Sequence, residues 1–337
     1  MLTLKRGTFI KQYSGPEEGS DIVCFRFWEL VAAQGCPFRC SYCFLQTTPS
    51  FVHKPEWLHG AIYTNVPQML AELREWLADP VPKMLIVGEL QDGLAFDTAF
   101  KKVTGKALTH HLIPLFAAQS RHRLIFLTKS VEVQHALELA PTPQVVFSWS
   151  VNSDYMWKIA ETGTPSTRER FAAARRMKEA GWGIRFRLDP MFPHEGWQAG
   201  YAETIDQINS RSPEMVTLGT LRATRVNQLR AAAIKNGRDP AILDQLVARD
   251  PSNFKDRLPL EDQLALYHFA LDHLRAPVAA LCKEDKTIWE ALGLNFHGCH
   301  CLLGADDAVV CGAGAGLRAK AAPSGEESPF RIMGQEQ

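Results

Sequence analysis

Short apolar runs alternating with stretches of helical spacing set what this 337-residue chain can fold into. The runs occupy 83–87, 123–127, 145–149, 184–188 and 215–218, and the helical stretches 67–77, 108–119, 131–139, 167–180 and 202–209. A brief run rich in Val, Ile, Leu and Phe reads as a strand, and apolar positions recurring three and four apart read as a helix. Their alternation predicts β/α units, whose crossovers bring successive strands together in parallel. A further run at 25–31 makes six units. With 46% hydrophobic residues the chain can fill one large domain or two unequal ones.

Directly after the first run stands Gly35-Cys36-Pro37-Phe38-Arg39-Cys40-Ser41-Tyr42-Cys43. The spacing would also set three thiols on one helix face, but Gly35 and Pro37 interrupt a helix and favour a loop at the carboxyl end of a strand. An odd number of cysteines in this loop, within a chain of cytosolic character, argues against a disulfide. Zinc usually takes paired cysteines with a fourth ligand nearby. Thiolates select iron–sulfur clusters, and a four-iron cube takes four of them. With three, one iron keeps an open position for a chelating small molecule, which makes the site catalytic.

The Cys-x3-Cys-x2-Cys spacing, with Tyr42 before the third cysteine, resembles the signature of the radical S-adenosylmethionine enzymes. Tyr42-Cys43-Phe44-Leu45-Gln46-Thr47-Thr48, Leu127-Thr128-Lys129, Ser150-Val151-Asn152-Ser153 and His194-Glu195-Gly196-Trp197-Gln198-Ala199-Gly200-Tyr201 are similar to segments of the spore photoproduct lyase branch, in the same order. The resemblance covers about 25–225. It implies a partial (β/α)6 barrel, TIM-like, with its active site at the carboxyl ends of the strands. It further implies a [4Fe-4S] cluster on Cys36, Cys40 and Cys43, S-adenosyl-L-methionine as cofactor, and a low-potential electron donor such as flavodoxin or ferredoxin.

The resemblance assigns cofactor contacts residue by residue. Gly88 and Glu89 follow the second strand and would hold the methionine ammonium; Lys129 ends the third and would pair with the carboxylate. Ser150 and Asn152 end the fourth and would hydrogen-bond a ribose hydroxyl. Arg187 and Asp189 share a face of the fifth beside the opening, with a buried ion pair as the alternative. Thr167 is expected to cap the fourth helix.

Two departures stand beside these matches. Spore photoproduct lyases carry a hydrogen-donating cysteine shortly after the second strand, where this chain reads Gly88-Glu89-Leu90-Gln91-Asp92-Gly93. They also have a long segment before the cluster loop, whereas 35 residues precede Cys36 here.

Four further cysteines, Cys282, Cys299, Cys301 and Cys311, fall within thirty residues. Four thiolates suit a second, fully ligated [4Fe-4S] cluster, with structural zinc or free thiols as alternatives and His297 or His300 as substitute ligands. The expected organisation is a lead-in at 1–24, the barrel at 25–223, a helical and auxiliary-cluster region at 224–320 and a flexible tail at 321–337. Around the start of the third part the basic run Arg222, Arg225 and Arg230 is read as a solvated face, with contact to a phosphate as the alternative.

Thirty-seven Lys and Arg balance 37 Asp and Glu, so no excess positive charge points to nucleic acid. No apolar run reaches a membrane-spanning length, and the amino terminus has no apolar signal stretch; both indicate a cytoplasmic protein. The leading expectation is an enzyme that cleaves S-adenosylmethionine and abstracts hydrogen from a small molecule, a nucleoside or sugar nucleotide, with the auxiliary cluster serving substrate oxidation or sulfur insertion. The alternatives are lesion repair in DNA of the spore photoproduct lyase kind and a non-catalytic iron–sulfur electron carrier.

Overall fold

The computed structural model describes residues 1–13, 21–24, 27–247, 256–276 and 278–294. Its centre is an eight-stranded sheet of β1 (Ile10–Gln12), β2 (Trp28–Leu30), β3 (Met84–Val87), β4 (Arg123–Thr128), β5 (Val145–Val151), β6 (Gly183–Met191), β7 (Val216–Thr220) and β8 (Val278–Leu281). Neighbours in the sheet are neighbours in sequence, and every pair from β2 to β8 is parallel; β1 runs antiparallel to β2. Among the described residues no strand ladder closes the sheet. Instead an Ile22–Asp285 bridge, Val23 N–H donating to Glu284 at 2.8 Å, and Lys286 N–H donating to Asp21 at 2.8 Å join the chain before β2 to the chain after β8. This is the mixed α/β sheet that the alternation predicts, in partly rolled form.

Parallel strands covered on both faces are buried throughout. Every residue of β3 and β5 is buried. Phe147 stacks on Phe126 at 5.2 Å and meets Trp182 edge-on at 5.4 Å. Truncating so enclosed an aromatic ring to Ala costs about 3–5 kcal/mol.

The helices Val66–Leu77, Leu108–Ala117, Thr167–Glu179 and Trp197–Asn209 answer four expected stretches. The fifth, 131–139, holds only a 3-10 turn at Ala136–Glu138. There Ser130 Oγ accepts from Glu132 N–H at 3.1 Å and the Ser130 carbonyl accepts from Trp149 Nε1 at 3.0 Å, while Val133 is drawn into the core. Such local side-chain bonds and β-branched residues compete with a helix.

The cap of Thr167–Glu179 is Ser166, not Thr167. Ser166 and Glu169 form a reciprocal capping box, so Thr167 is already the first helical residue. Helices at Asp97–Thr104 and Asp154–Ala160 are too short to show a period in the sequence. Beyond 223, the chain adds the helices Val226–Lys235 and Leu260–His273 and then returns to the same sheet as β8.

Candidate active site

Gly35 opens the cysteine loop at φ +79°, where a Cβ would stand 2.0 Å from the Trp57 carbonyl. Only glycine tolerates both conditions. From there the loop is pinned on several sides. Cys36 N–H donates to Leu58 O at 2.8 Å, Ser41 N–H to Ala160 O at 2.8 Å, and Arg238 Nη1 to Cys40 O at 2.8 Å. Arg39–Cys40 pairs antiparallel with Glu161–Thr162.

This clamping places Cys36, Cys40 and Cys43 on a cavity of about 420 Å³, within the range of roughly 300–1,000 Å³ found for ligand pockets. Its other walls come from successive carboxyl ends of the sheet. Gly88 and Glu89 follow β3, Lys129 follows β4, Ser150 lies near the end of β5, Arg187 and Asp189 on β6, Arg222 after β7, and Cys282 and Lys283 after β8. Tyr42 lines it from the loop itself. A second cavity of about 360 Å³, bordered by Lys5, Lys54 and Trp57, lies outside this ring and contains no cysteine.

Burial pushes the thiols up: Cys40 to about 12, and Cys36 well above its ordinary value, helped by Asp92, Cys43 and Cys40. Three neutral thiols packed together are costly to ionise in protein alone, and a cationic iron centre reverses that cost. The donor set therefore fits a cluster held by three thiolates. Gly88 fits a close-packed ligand wall, since its φ is +137° and a Cβ there would lie 2.2 Å from the Leu127 carbonyl.

Charge on the walls is paired. The buried Glu161 carboxylate accepts from Tyr42 Oη, pairs with the fully buried Arg170, and lies 3.8 Å from Lys129 Nζ. Burial alone would raise Glu161, but Arg170 and Lys129 outweigh it and hold its pKa below the ordinary value. For Lys129, burial pulls down, yet Glu161 and Cys40 leave it above the ordinary value, so it stays cationic. Glu89 faces Lys283 Nζ at 3.8 Å.

On the opposite side Arg222 grips Asp189 with two hydrogen bonds, 3.0 and 3.1 Å, and Arg187 lies 3.5 Å from the same carboxylate. Burial would raise Asp189, but the two guanidiniums hold it well below the usual carboxylate range. Arg222 is thus a cavity residue, and the solvated-face reading fails for it because Asp189 draws it inward. Arg230 does sit at the surface, paired with Asp244.

Asn152 does not reach the cavity. It is fully buried, its Nδ2 donates to the Pro190 carbonyl at 2.7 Å, and its Oδ1 accepts from Ser153 N–H at 3.0 Å. β5 ends at Val151, so the alternation that would align Asn152 with Ser150 has already stopped. Turn chemistry prevails there, with Ser153 capping the next helix. Tyr42, Gly88, Glu89, Lys129, Ser150 and Arg187 do meet in one cavity.

Cys282, expected in an auxiliary cluster, ends β8 and lines the same cavity, with Arg187 Nη2 at 2.9 Å and Arg222 Nη2 at 3.1 Å from its sulfur. Its expected companions Cys299, Cys301 and Cys311, with His297, His300 and the 321–337 tail, lie outside the described residues.

Sequence reading missed Asp92, Glu161, Arg170 and Lys283. Asp92 lines the cavity and ties the ends of β3 and β4, accepting from Thr128 Oγ1 at 2.6 Å and Lys129 N–H at 2.7 Å. Its signal was present in Asp92-Gly93, a turn pair in the loop that leaves β3. Arg170 had none, because a charged residue at a helical position reads as surface. Among the described residues no helix is long and apolar enough to cross a membrane.

The family profile for spore photoproduct lyase matches residues 28–223. Among curated proteins, the chain is similar to a spore photoproduct lyase of Geobacillus sp. (strain Y412MC61), 32% identical over 199 residues, covering 58% of this chain and 54% of that protein. It is likewise similar to one of Bacillus subtilis (strain 168), 30% identical over 187 residues, covering 55% and 51%. The chain thus spans about half the length of these relatives. In structure it is similar to a spore photoproduct lyase complexed with dinucleoside spore photoproduct, at TM-score 0.66, 22% identity, and coverage of 83% and 80%. A variant of that enzyme with bound AdoMet and dinucleoside spore photoproduct gives TM-score 0.62 at 22% identity, again covering 83% and 80%. At that identity the likeness concerns the fold. These relatives favour lesion repair over the small-metabolite and sulfur-insertion expectation.

Proposed function

The chain belongs to the spore photoproduct lyase family of radical S-adenosylmethionine enzymes, and from that premise we propose that it reverses a covalent thymine lesion in DNA. The observation that carries the proposal is the convergence of three loop thiols and Gly88, Glu89, Lys129, Ser150 and Arg187 on one cavity at the strand ends. When bound, a reduced [4Fe-4S] cluster with S-adenosylmethionine supplies a 5′-deoxyadenosyl radical.

The protein's share is holding and shielding. Cys36, Cys40 and Cys43 would ligate three irons and leave the fourth open to the methionine part of the cofactor. Glu89 offers a carboxylate to the ammonium, and the bare Gly88 backbone lets the ligand approach. Lys129, kept cationic by Glu161, offers charge to the carboxylate. Ser150 offers a hydroxyl to the ribose. Fixing the reactive carbon against a substrate C–H in a buried space raises its effective concentration and keeps it from solvent. Flavodoxin or ferredoxin would deliver the electron. DNA with its lesion replaces the small metabolite as substrate because the relatives are named spore photoproduct lyases and one similar structure is complexed with dinucleoside spore photoproduct.

The test is anaerobic reconstitution with iron and sulfide, followed by S-adenosylmethionine, dithionite and the dinucleoside spore photoproduct. Recovery of the intact thymine dinucleotide supports the reading. Cleavage of the cofactor with the lesion left whole would overturn it. Binding to duplex DNA should weaken steeply with salt, as phosphate contacts require.

A further inference from the structure

We propose that Cys282 is the thiol that returns a hydrogen atom to the substrate-derived radical in this cavity. The proposal rests on the lesion-reversal reading. Abstraction of hydrogen from the lesion leaves a carbon radical, and a repaired thymine differs from that radical by one hydrogen atom. Among pocket side chains a thiol S–H is the bond most readily broken by a carbon radical. Four described cysteines line the cavity, and Cys36, Cys40 and Cys43 are committed to the cluster loop. Cys282 is the fourth.

Its setting is built to hold a sulfur in one place. Arg187 and Arg222 both donate to Sγ, at 2.9 and 3.1 Å, and the same two guanidiniums bind Asp189, which accepts the thiol's own hydrogen. The next residue, Lys283, has φ +54°, an unfavourable conformation for a side chain with a Cβ. Such strain persists only where the surroundings fix it. They do so through Glu284, fully buried, which pairs with the fully buried Arg257 and accepts from Tyr267 Oη at 2.6 Å and Thr220 Oγ1 at 3.0 Å. Arg257 Nη2 also donates to the Lys283 carbonyl at 2.8 Å. Four side chains from four parts of the chain thus support a two-residue turn whose sulfur and ammonium face the cavity.

The step balances without an outside oxidant. The carbon radical takes a hydrogen atom from Cys282, forming C–H and breaking S–H, and leaves a thiyl radical. The thiyl takes a hydrogen atom from the methyl of 5′-deoxyadenosine and becomes the thiol again, which restores the radical that began the turnover.

The experiment uses the full chain, reconstituted as above and run for a single turnover in D2O, in wild-type, Cys282→Ser and Cys24→Ser forms. Cys24 is the other described thiol, and it does not line the cavity. We expect the wild type and Cys24→Ser to place solvent deuterium in the released thymine. Cys282→Ser should lose that label and yield ~tenfold less repaired dinucleotide per 5′-deoxyadenosine formed. Its iron and sulfide content should equal the wild type's. Equal labelling by Cys282→Ser, or transfer of the defect to Cys24→Ser, overturns the assignment. So does a loss of about half the iron from Cys282→Ser, which would mark Cys282 as a ligand of a second four-iron cluster. A wild type that leaves the lesion whole overturns the lesion reading and this assignment together, whereas the other results touch the assignment alone.

Discussion

The two walls of the cavity are built on opposite principles. The cluster wall is eight consecutive residues of loop, Cys36–Cys43, whose three thiols, one buried and two half-buried, line the cavity and disfavour their charged forms. The facing wall draws Arg187, Asp189, Arg222, Cys282 and Lys283 from three strands and ties them into ion pairs and hydrogen bonds. The first wall holds neutral thiols, whose charged forms a cationic centre would favour. The second is satisfied as it stands, with Asp189 against Arg222 and Glu284 against Arg257. On the proposed reading one wall is the ligand set, and the other is a paired scaffold that sets the shape and field around it and holds Cys282.

That contrast can be broken in graded steps. Replacing Cys36, Cys40 and Cys43 together by alanine should abolish cofactor cleavage and remove the loop's iron, read by iron analysis and by chromatography of 5′-deoxyadenosine. Unfolding stability of the apo protein should survive, since burying smaller apolar side chains leaves no stranded charge. The reverse experiment is Arg257→Ala, which strands Glu284 in the interior and should cost about 3–5 kcal/mol in denaturant unfolding. If it cost less than the surface pairs do, the scaffold description of that wall would be wrong.

Gly88→Ala should come next, destabilising by about 1–3 kcal/mol through its left-handed backbone and the Leu127 contact, with weaker cofactor binding by calorimetry. The Glu161 pair predicts a pH signature. Its folded pKa lies below the ordinary 4.5, so the unfolded chain binds the proton more readily. Its contribution is present above 4.5 and disappears as pH falls through the lower folded value. Unfolding midpoints of Glu161→Gln should therefore fall less steeply below that point than the wild type's. The smallest effect belongs to Arg230→Ala, which removes an exposed pair with Asp244 and should change stability by less than about 1 kcal/mol.

The same contrast explains what could be read in advance. Cys36, Cys40 and Cys43 are legible because their spacing is local and their chemistry specific. Gly88, Glu89 and Lys129 are legible because each directly follows an apolar strand, and a parallel sheet gathers such positions at one end. Asn152 misled for a comparable reason: period two holds only inside a strand, and β5 ends one residue earlier. Arg222 was assigned to the surface because a sequence shows charge without showing its partner, here Asp189 thirty-three residues away. Cys282 was grouped with the cysteines that follow it, whereas pairing of β8 with β7 carries it to the cavity.

The sequence by itself determined the succession of strands β2 to β7, four of the helices between them, the cysteine loop and the end of the sheet to which the strands lead. These follow from contacts within a few residues, or from a periodicity that repeats along the chain. Only the tertiary structure decided that an eighth strand returns to the sheet and that Arg170 and Arg257 are buried against Glu161 and Glu284. It alone set Cys282 between two arginines. A buried ion pair is stable only when both partners and their hydrogen bonds arrive together, and that coincidence is a property of the folded chain.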